Sequence, residues 1–272
     1  MSNLKEIKTY LPFARNTFQK LISYKANVII FMFGDLLMLA VTYYLWKAIY
    51  TSTSKPIING FTQDQMIIYV FITFLTGLMT SVDISYDISR EVLDGSIAIN
   101  LVRPINYEKR MLFQGLGNVF YNFIVIFLIT FILTTFLFYR YFGYINIINI
   151  VIYFISIALG ILISFYFSYI FGLFSFKITN MWGMSQIMQA IIQLLSGTLI
   201  PISFFPNWTQ FIVKLFPFSS VIYTPTMIYL GKLSYSEVII SLAIQVFWIY
   251  LLMIIAKFMW KSMIKNLTVV GG

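Results

Sequence analysis

Few side chains in this sequence are equipped for chemistry. Its 272 residues hold 9 Asp and Glu against 18 Lys and Arg, with no His and no Cys. Without His, the commonest general base and the commonest metal ligand are both missing. Without Cys there is no disulfide and no thiolate nucleophile. The remaining acids do not converge as a nucleophile, base and metal set would, so an enzyme is not expected, and no metal site either. Gly231-Lys232 lacks the upstream Gly of a phosphate-binding loop and is followed by Leu233. Any ATP chemistry would therefore belong to another polypeptide.

Three groups of polar residues stand out. The first is Ser89-Arg90-Glu91-Val92-Leu93-Asp94-Gly95. It reads as a short helix closed by Gly95, with Arg90 and Asp94 one turn apart and spaced to pair. Ser96 to Leu101 follows, and Arg103-Pro104 is placed to open the next helix. A solvated helix between apolar runs suits the docking of a soluble partner; an ordinary charged connector is the plainer alternative. The second is Asp35, set among Phe33, Leu36 and Leu37. An ionised carboxylate inside a bilayer costs roughly 2.5–3.5 kcal/mol, so it should face protein or water, or be protonated. A coupling-ion or substrate contact is the functional reading. The third is Gln186, Gln189, Gln193 and Ser196, spaced by three, four and three on one helix face. Such a face either glues helices together or lines a translocation path, and both readings stay open.

The elements that must carry these residues follow from composition. Hydrophobic residues make up 60% and charged residues 10%, against about 25% charged in soluble domains. Apolar runs approach the roughly 20 residues needed to cross a bilayer. The predicted fold is all-α and polytopic, a single transmembrane domain over 1–272. Its spans are near 27–50, 64–82, 111–139, 146–174 and 181–200, with a sixth running to Lys257. Thr62 with Gln65 and Ser234 with Glu237 form capping boxes for the second and sixth. Residues 1–25 place Leu4, Ile7, Leu11, Ala14, Phe18 and Leu21 on one stripe, with Lys5, Lys8, Arg15 and Lys20 mostly off it. That segment should lie in the headgroup plane, kinked at Pro12, and it does not resemble a cleavable signal peptide. Packing on another subunit is the alternative for it.

Small residues recur every fourth position in the fourth span, at Ser156, Gly160, Ser164, Ser168 and Gly172. This is a close-packing pattern, within the chain or between two chains. Between 201 and 236, Pro201, Pro206, Pro217 and Pro225 cut apolar sequence into pieces too short to cross. Two short helices are expected there, one of about 208–216 capped by Asn207 and one opened by Thr224-Pro225 and ending at Gly231. They would re-enter from the outer face, because irregular backbone at membrane depth needs protein around it; a flat interfacial loop is the other option.

The net charge of +9 fits membrane orientation and anionic lipid rather than nucleic acid. If both termini share a side, Lys47, Lys55, Arg140, Lys214 and Lys232 lie opposite, and the other thirteen of the 18 basic residues lie with the termini. The positive-inside rule then places both termini and the 83–110 loop in the cytoplasm.

Two stretches resemble a known family. Arg90-Glu91-(x3)-Gly95-Ser96-(x4)-Leu101-(x)-Arg103-Pro104-Ile105 is similar to the signature after the second span in type II export permeases of ABC transporters. Ser196-Gly197-(x3)-Pro201-Ile202-Ser203-(x2)-Pro206-(x)-Trp208, with Leu215-(x)-Pro217-Phe218 and Tyr229-Leu230-Gly231, resembles their region before the last span. With the amphipathic start, the resemblance covers the whole chain. It implies an amphipathic leading helix, a coupling helix, a second permease (identical or homologous), and two separate nucleotide-binding subunits that hold ATP and Mg. It implies ATPase coupling at Arg90, Glu91, Asp94, Gly95, Arg103 and Pro104, and an outer gate at Pro201, Pro206, Trp208 and Pro217. Asp35 has no counterpart in that pattern. The expected function is export of a hydrophobic or amphipathic cargo (drug, antimicrobial peptide or lipid-like) across a cell membrane, expected to be bacterial; the high Ile, Lys, Asn, Phe and Tyr usage suggests only an AT-rich genome. A non-transporting sensor subunit and an ion-coupled carrier using Asp35 are the alternatives.

Overall fold

The computed structural model describes residues 3–23, 25–53, 55–142, 146–178 and 181–265. The centre of the predicted Arg140–Asn146 turn and the side chains of Leu4, Lys5 and Lys25 lie outside the described residues. The helices are α1 (Asn3–Ser23), α2 (Lys25–Ser52), α3 (Gln63–Thr80), α4 (Ser85–Leu93), α5 (Ser96–Val102), α6 (Tyr107–Asn122), α7 (Leu128–Phe142), α8 (Ile147–Leu173), α9 (Trp182–Leu195), α10 (Asn207–Leu215), α11 (Pro217–Val221), α12 (Tyr223–Tyr229) and α13 (Tyr235–Ile264). A π-helical turn at Phe123–Phe127 joins α6 to α7 into one rod. The only sheet among the described residues is a two-residue hairpin, β1 (Ile57–Ile58) against β2 (Phe61–Thr62). Its turn is Asn59-Gly60, both at positive φ, the pair that a tight hairpin turn requires.

The rods share two ends. At one, the hairpin is covered by Tyr50 of α2, whose hydroxyl donates to the Phe61 carbonyl at 2.7 Å, and by Lys232, whose Nζ donates to the Gly60 carbonyl at 2.6 Å. At the other lie α4, α5 and α1. Capping boxes start α3 and α13 at the hairpin end, through Thr62–Gln65 and Ser234–Glu237 as predicted. Asn106 caps α6 at the α4 end by accepting from Lys109 N, so α6 opens at Tyr107 and not at Arg103-Pro104. Asn146 caps α8 back at the hairpin end. The chain thus runs up and down between the two ends.

Two predicted elements differ. The fifth expected span, 181–200, forms a helix of only 14 residues, α9, about 21 Å long at 1.5 Å per residue. Gly197, in the left-handed region at φ +81°, turns the chain away just after it. Among the described residues five helices are long and apolar enough to cross a bilayer, and α9 is not one of them. Its two ends are nevertheless far apart in the fold. Near its start the Ser185 hydroxyl meets that of Ser85 at 3.3 Å, and just past its end the Gly197 carbonyl accepts from Tyr69 of α3 at 2.6 Å.

The second difference concerns 201–236, which folds as three short helices rather than two. Asn207 is the first residue of α10 and makes no capping bond; Pro206 holds the cap position. Pro217 opens α11, and α12 starts at Tyr223, ahead of Thr224-Pro225. Residues 219–230 are buried throughout. Their depth is set by α8: a Cβ on Gly160, near the middle of that helix, would sit 3.2 Å from the Val221 carbonyl oxygen. By Gly231 the chain is back at Asn149, near the start of α8.

The small-residue stripe of α8 is an internal seam. Ser156 bonds Gln245 of α13, Gly160 meets α11, Ser168 bonds the start of α4, and Gly172 is crowded by Ile88 and Ser85 of α4. Because the stripe drifts around the helix, these four members meet three different elements, α13, α11 and α4. At the α4 end, α1 stays helical through Pro12 and packs along α6. A Cβ on Gly117 of α6 would collide with the Ala14 carbonyl oxygen, so only Gly allows that approach. Tyr10 stacks on Phe113 and accepts from Asn106 N at 2.8 Å, while Ile7 and Leu11 stay exposed on the outer side.

Candidate functional site

Between α2, α3, α8 and α9 lies a cavity of about 410 Å³, open at the surface of the chain. Asp35 enters it from α2, Thr73 and Thr80 from α3, Ser164 and Ser168 from α8, and Gln189 and Gln193 from α9. Phe74, Phe167, Met188 and Ile222 make up part of the apolar wall. The helix break between α3 and α4 forms the floor. There the Asp83 Oδ1 accepts from Ser85 N at 3.1 Å, from the Ser85 hydroxyl at 2.6 Å and from the Ser168 hydroxyl at 3.2 Å. Ser168 Oγ in turn accepts from Ile84 N and Ser85 N at 2.9 and 3.1 Å. A cavity-lining carboxylate and one α8 hydroxyl therefore hold the start of α4. The polar groups at this break are satisfied locally, which a kink beside apolar helices requires.

Of the predicted path residues, Asp35, Gln189 and Gln193 come together in this cavity. Gln186 does not line it and is exposed, and Ser196 is buried in a 2.7 Å bond with Thr198, which does line it. Asp83 was legible only as one acid of a loop; its place in the floor follows from the meeting of α3, α4 and α8.

The second candidate region is the surface of α4 and α5. Gly95 at φ +73° joins the two helices, and the Asp94 carboxylate, at the end of α4, accepts from Ser96 N at 2.9 Å across that joint. Hydrogen bonds from Ser96 hold the Asp94 carboxyl below the usual range. The predicted Arg90–Asp94 pair is replaced by this local bond, with the Arg90 charge only a minor influence. Glu91 also departs from expectation. Its side chain turns inward, where both carboxylate oxygens accept from Arg110 Nη2 at 2.7 and 2.6 Å and Oε2 accepts from the Tyr107 hydroxyl at 3.0 Å. What α4 and α5 present outward is Tyr86, Arg90, Leu93, Asp94, Ile99 and Val102, the last 86% exposed, with Arg103 and Pro104 beside them. Apolar side chains mixed with charges on a short helical pair form a contact surface.

The four residues expected at an outer gate do not line the cavity. Pro201 and Pro217 are buried at the starts of a 3-10 turn and of α11. Pro206 and Trp208 are exposed at the start of α10, Trp208 by 70%. Sequence reasoning also passed over Gln245, which is fully buried. Its Nε2 donates to the carbonyls of Ser220 and Ser156 at 2.7 and 3.2 Å. A lone amide in the otherwise apolar stretch of α13 was the available signal.

No curated protein matches the sequence. The family model described as ABC-2 family transporter protein matches residues 36–271, from just after Asp35 through α13. Multi-pass apolar rods, a helical pair outside them and a match over most of the length agree: the chain belongs to the ABC-2 family of transporter proteins, the membrane permeases that work with ATPase subunits in ABC transporters.

Proposed function

We propose that this chain is the permease of an ATP-driven exporter, with α4–α5 as its coupling surface and the α2–α3–α8–α9 cavity as its translocation path. The observation that carries this reading is the join between the two: Asp83 lines the cavity and also fixes the first turn of α4. Movement of α4 under a cytoplasmic ATPase would displace the cavity floor directly. Both termini and α4–α5 are cytoplasmic in this reading, with the hairpin outside. That requires α9 to serve as the sixth crossing. In support, its contacts run from Ser85 at one end to Tyr69 toward the other, and the chain reaches Gly160 of α8 at Val221 and Asn149 at Gly231, so that α11–α12 would be re-entrant helices of the outer half. Pro201, Pro206, Trp208 and Pro217 belong to the outer rim, and cargo leaves past them. ATP and Mg are held by the partner subunits.

The test is Leu93→Arg together with Val102→Glu, which alters the exposed face of α4–α5 without touching the buried pair below it. Co-expressed with its partner ATPase subunits, the variant is expected to insert and fold normally yet lose copurification and permease-stimulated ATP hydrolysis. Unchanged stimulation would remove this surface from the mechanism.

A further inference from the structure

We infer that the cavity selects a cationic amphiphile, a molecule that joins an amine or onium group to an apolar body of rings or chain. This rests on the permease reading and names the cargo class of the same site. At about 410 Å³ the cavity is in the size range of small-molecule sites. Its charge runs against the rest of the chain. The sequence has twice as many basic as acidic residues, 18 against 9, yet the lining holds two carboxylates, Asp35 and Asp83, and no Lys or Arg.

Neither carboxylate has its charge met by a cation within the cavity. Asp83 Oδ1 is occupied by Ser85 and Ser168, but Oδ2 has only Gln189 Nε2 at 3.5 Å, the outer limit of a hydrogen bond. Asp35 has no hydrogen-bond partner among the described residues. Both carboxylates therefore retain acceptor capacity for an N–H donor or a positive charge, in a setting where apolar walls and surrounding lipid strengthen the attraction. Phe74 and Phe167 add aromatic surface that favours an onium group over an anion. Met38 and Met188 supply adaptable walls for the body. An anionic amphiphile would meet two like charges, and a neutral lipid would leave both carboxylates unanswered.

Tetraphenylphosphonium and tetraphenylborate have nearly the same shape and opposite charge. With the full chain in zwitterionic-lipid nanodiscs, and empty discs subtracted, the phosphonium is expected to bind saturably and the borate not to. Asp35→Asn should weaken phosphonium binding about tenfold, the effect of removing a single charge–charge attraction, and Asp35→Glu should restore it. Asp35 is the residue to vary because Asp83 also holds the start of α4. Equal phosphonium affinity in Asp35→Asn and the parent chain, saturable binding of the borate, or binding of neither probe would overturn the assignment. Those failures are separable from failure of the permease reading, because ATPase stimulation through α4–α5 is measured without any cargo.

Discussion

Arg110 has a side chain only 7% exposed, and among the described residues its charge is answered by one carboxylate, that of Glu91 at 16%. The guanidinium also lies over the Tyr107 ring at 4.8 Å, and its Nε has no hydrogen-bond partner among the described residues. Breaking such a pair from one side leaves a buried charge uncompensated, typically at a cost of 3–5 kcal/mol, whereas replacing both partners by apolar groups is often neutral. Glu91→Gln is therefore expected to lower the midpoint of thermal unfolding in detergent by an amount equivalent to about 3 kcal/mol. The double change Glu91→Leu with Arg110→Met should recover most of that loss. If Glu91→Gln unfolds like the parent chain, the pair is not a structural support. Loss of transport in a Glu91 variant would then report on α4 itself, which the sequence alone would have taken for granted.

Among the elements, α11 and α12 depend most on their neighbours. Each is too short to be stable alone, and their junction sits at the level of Gly160, near the middle of α8. Backbone that deep must be satisfied by protein. Gln245 does this for α11 by donating to the Ser220 carbonyl, while its Oε1 accepts from the Ser156 hydroxyl at 3.1 Å. Gln245→Leu removes the donor and leaves that carbonyl buried, a loss of roughly 1–3 kcal/mol. Hydrogen exchange should show the loss as faster exchange confined to 217–229, with α3 and α8 unchanged. Exchange that rises equally everywhere would mean that Gln245 supports the whole bundle rather than these two helices. The seam of Ser156, Gly160, Ser168 and Gly172 has the same logic: small side chains on α8 let three different elements approach one helix.

On the scale of the whole molecule, the polar face of α9 is only half used. Gln189 and Gln193 line the cavity, but Gln186 is exposed beside Ile187 and Trp182, at 58% and 67%. An exposed amide on a helix that sits among membrane rods calls for a partner. In the exporter reading that partner is a second permease, which would also close the open side of the cavity. The sequence contains no Cys, so Gln186→Cys is a single reactive site in an otherwise silent chain. In native membranes a short bismaleimide is expected to link it into a dimer, while Tyr235→Cys at the start of α13 stays monomeric. Monomer from both would place the second copy elsewhere.

Length, hydropathy and capping chemistry are local properties, and they determined the long rods, their capping boxes at Thr62 and Ser234, the break at Gly95 and the membrane as solvent. The family resemblance, too, rests on short runs of neighbouring residues. What needed the tertiary structure was every fact that depends on which rods touch. Arg90 and Asp94 have the spacing of a pair, yet Ser96 N is nearer to hand for Asp94, and Glu91 turns to an Arg nineteen positions away. Asp35, Asp83 and Gln189 are scattered over more than 150 positions, and only the packing of α2, α8 and α9 around α3 brings them to one cavity. Helical spacing specifies which face of a rod is polar; which neighbour that face meets is decided by the fit of all the others.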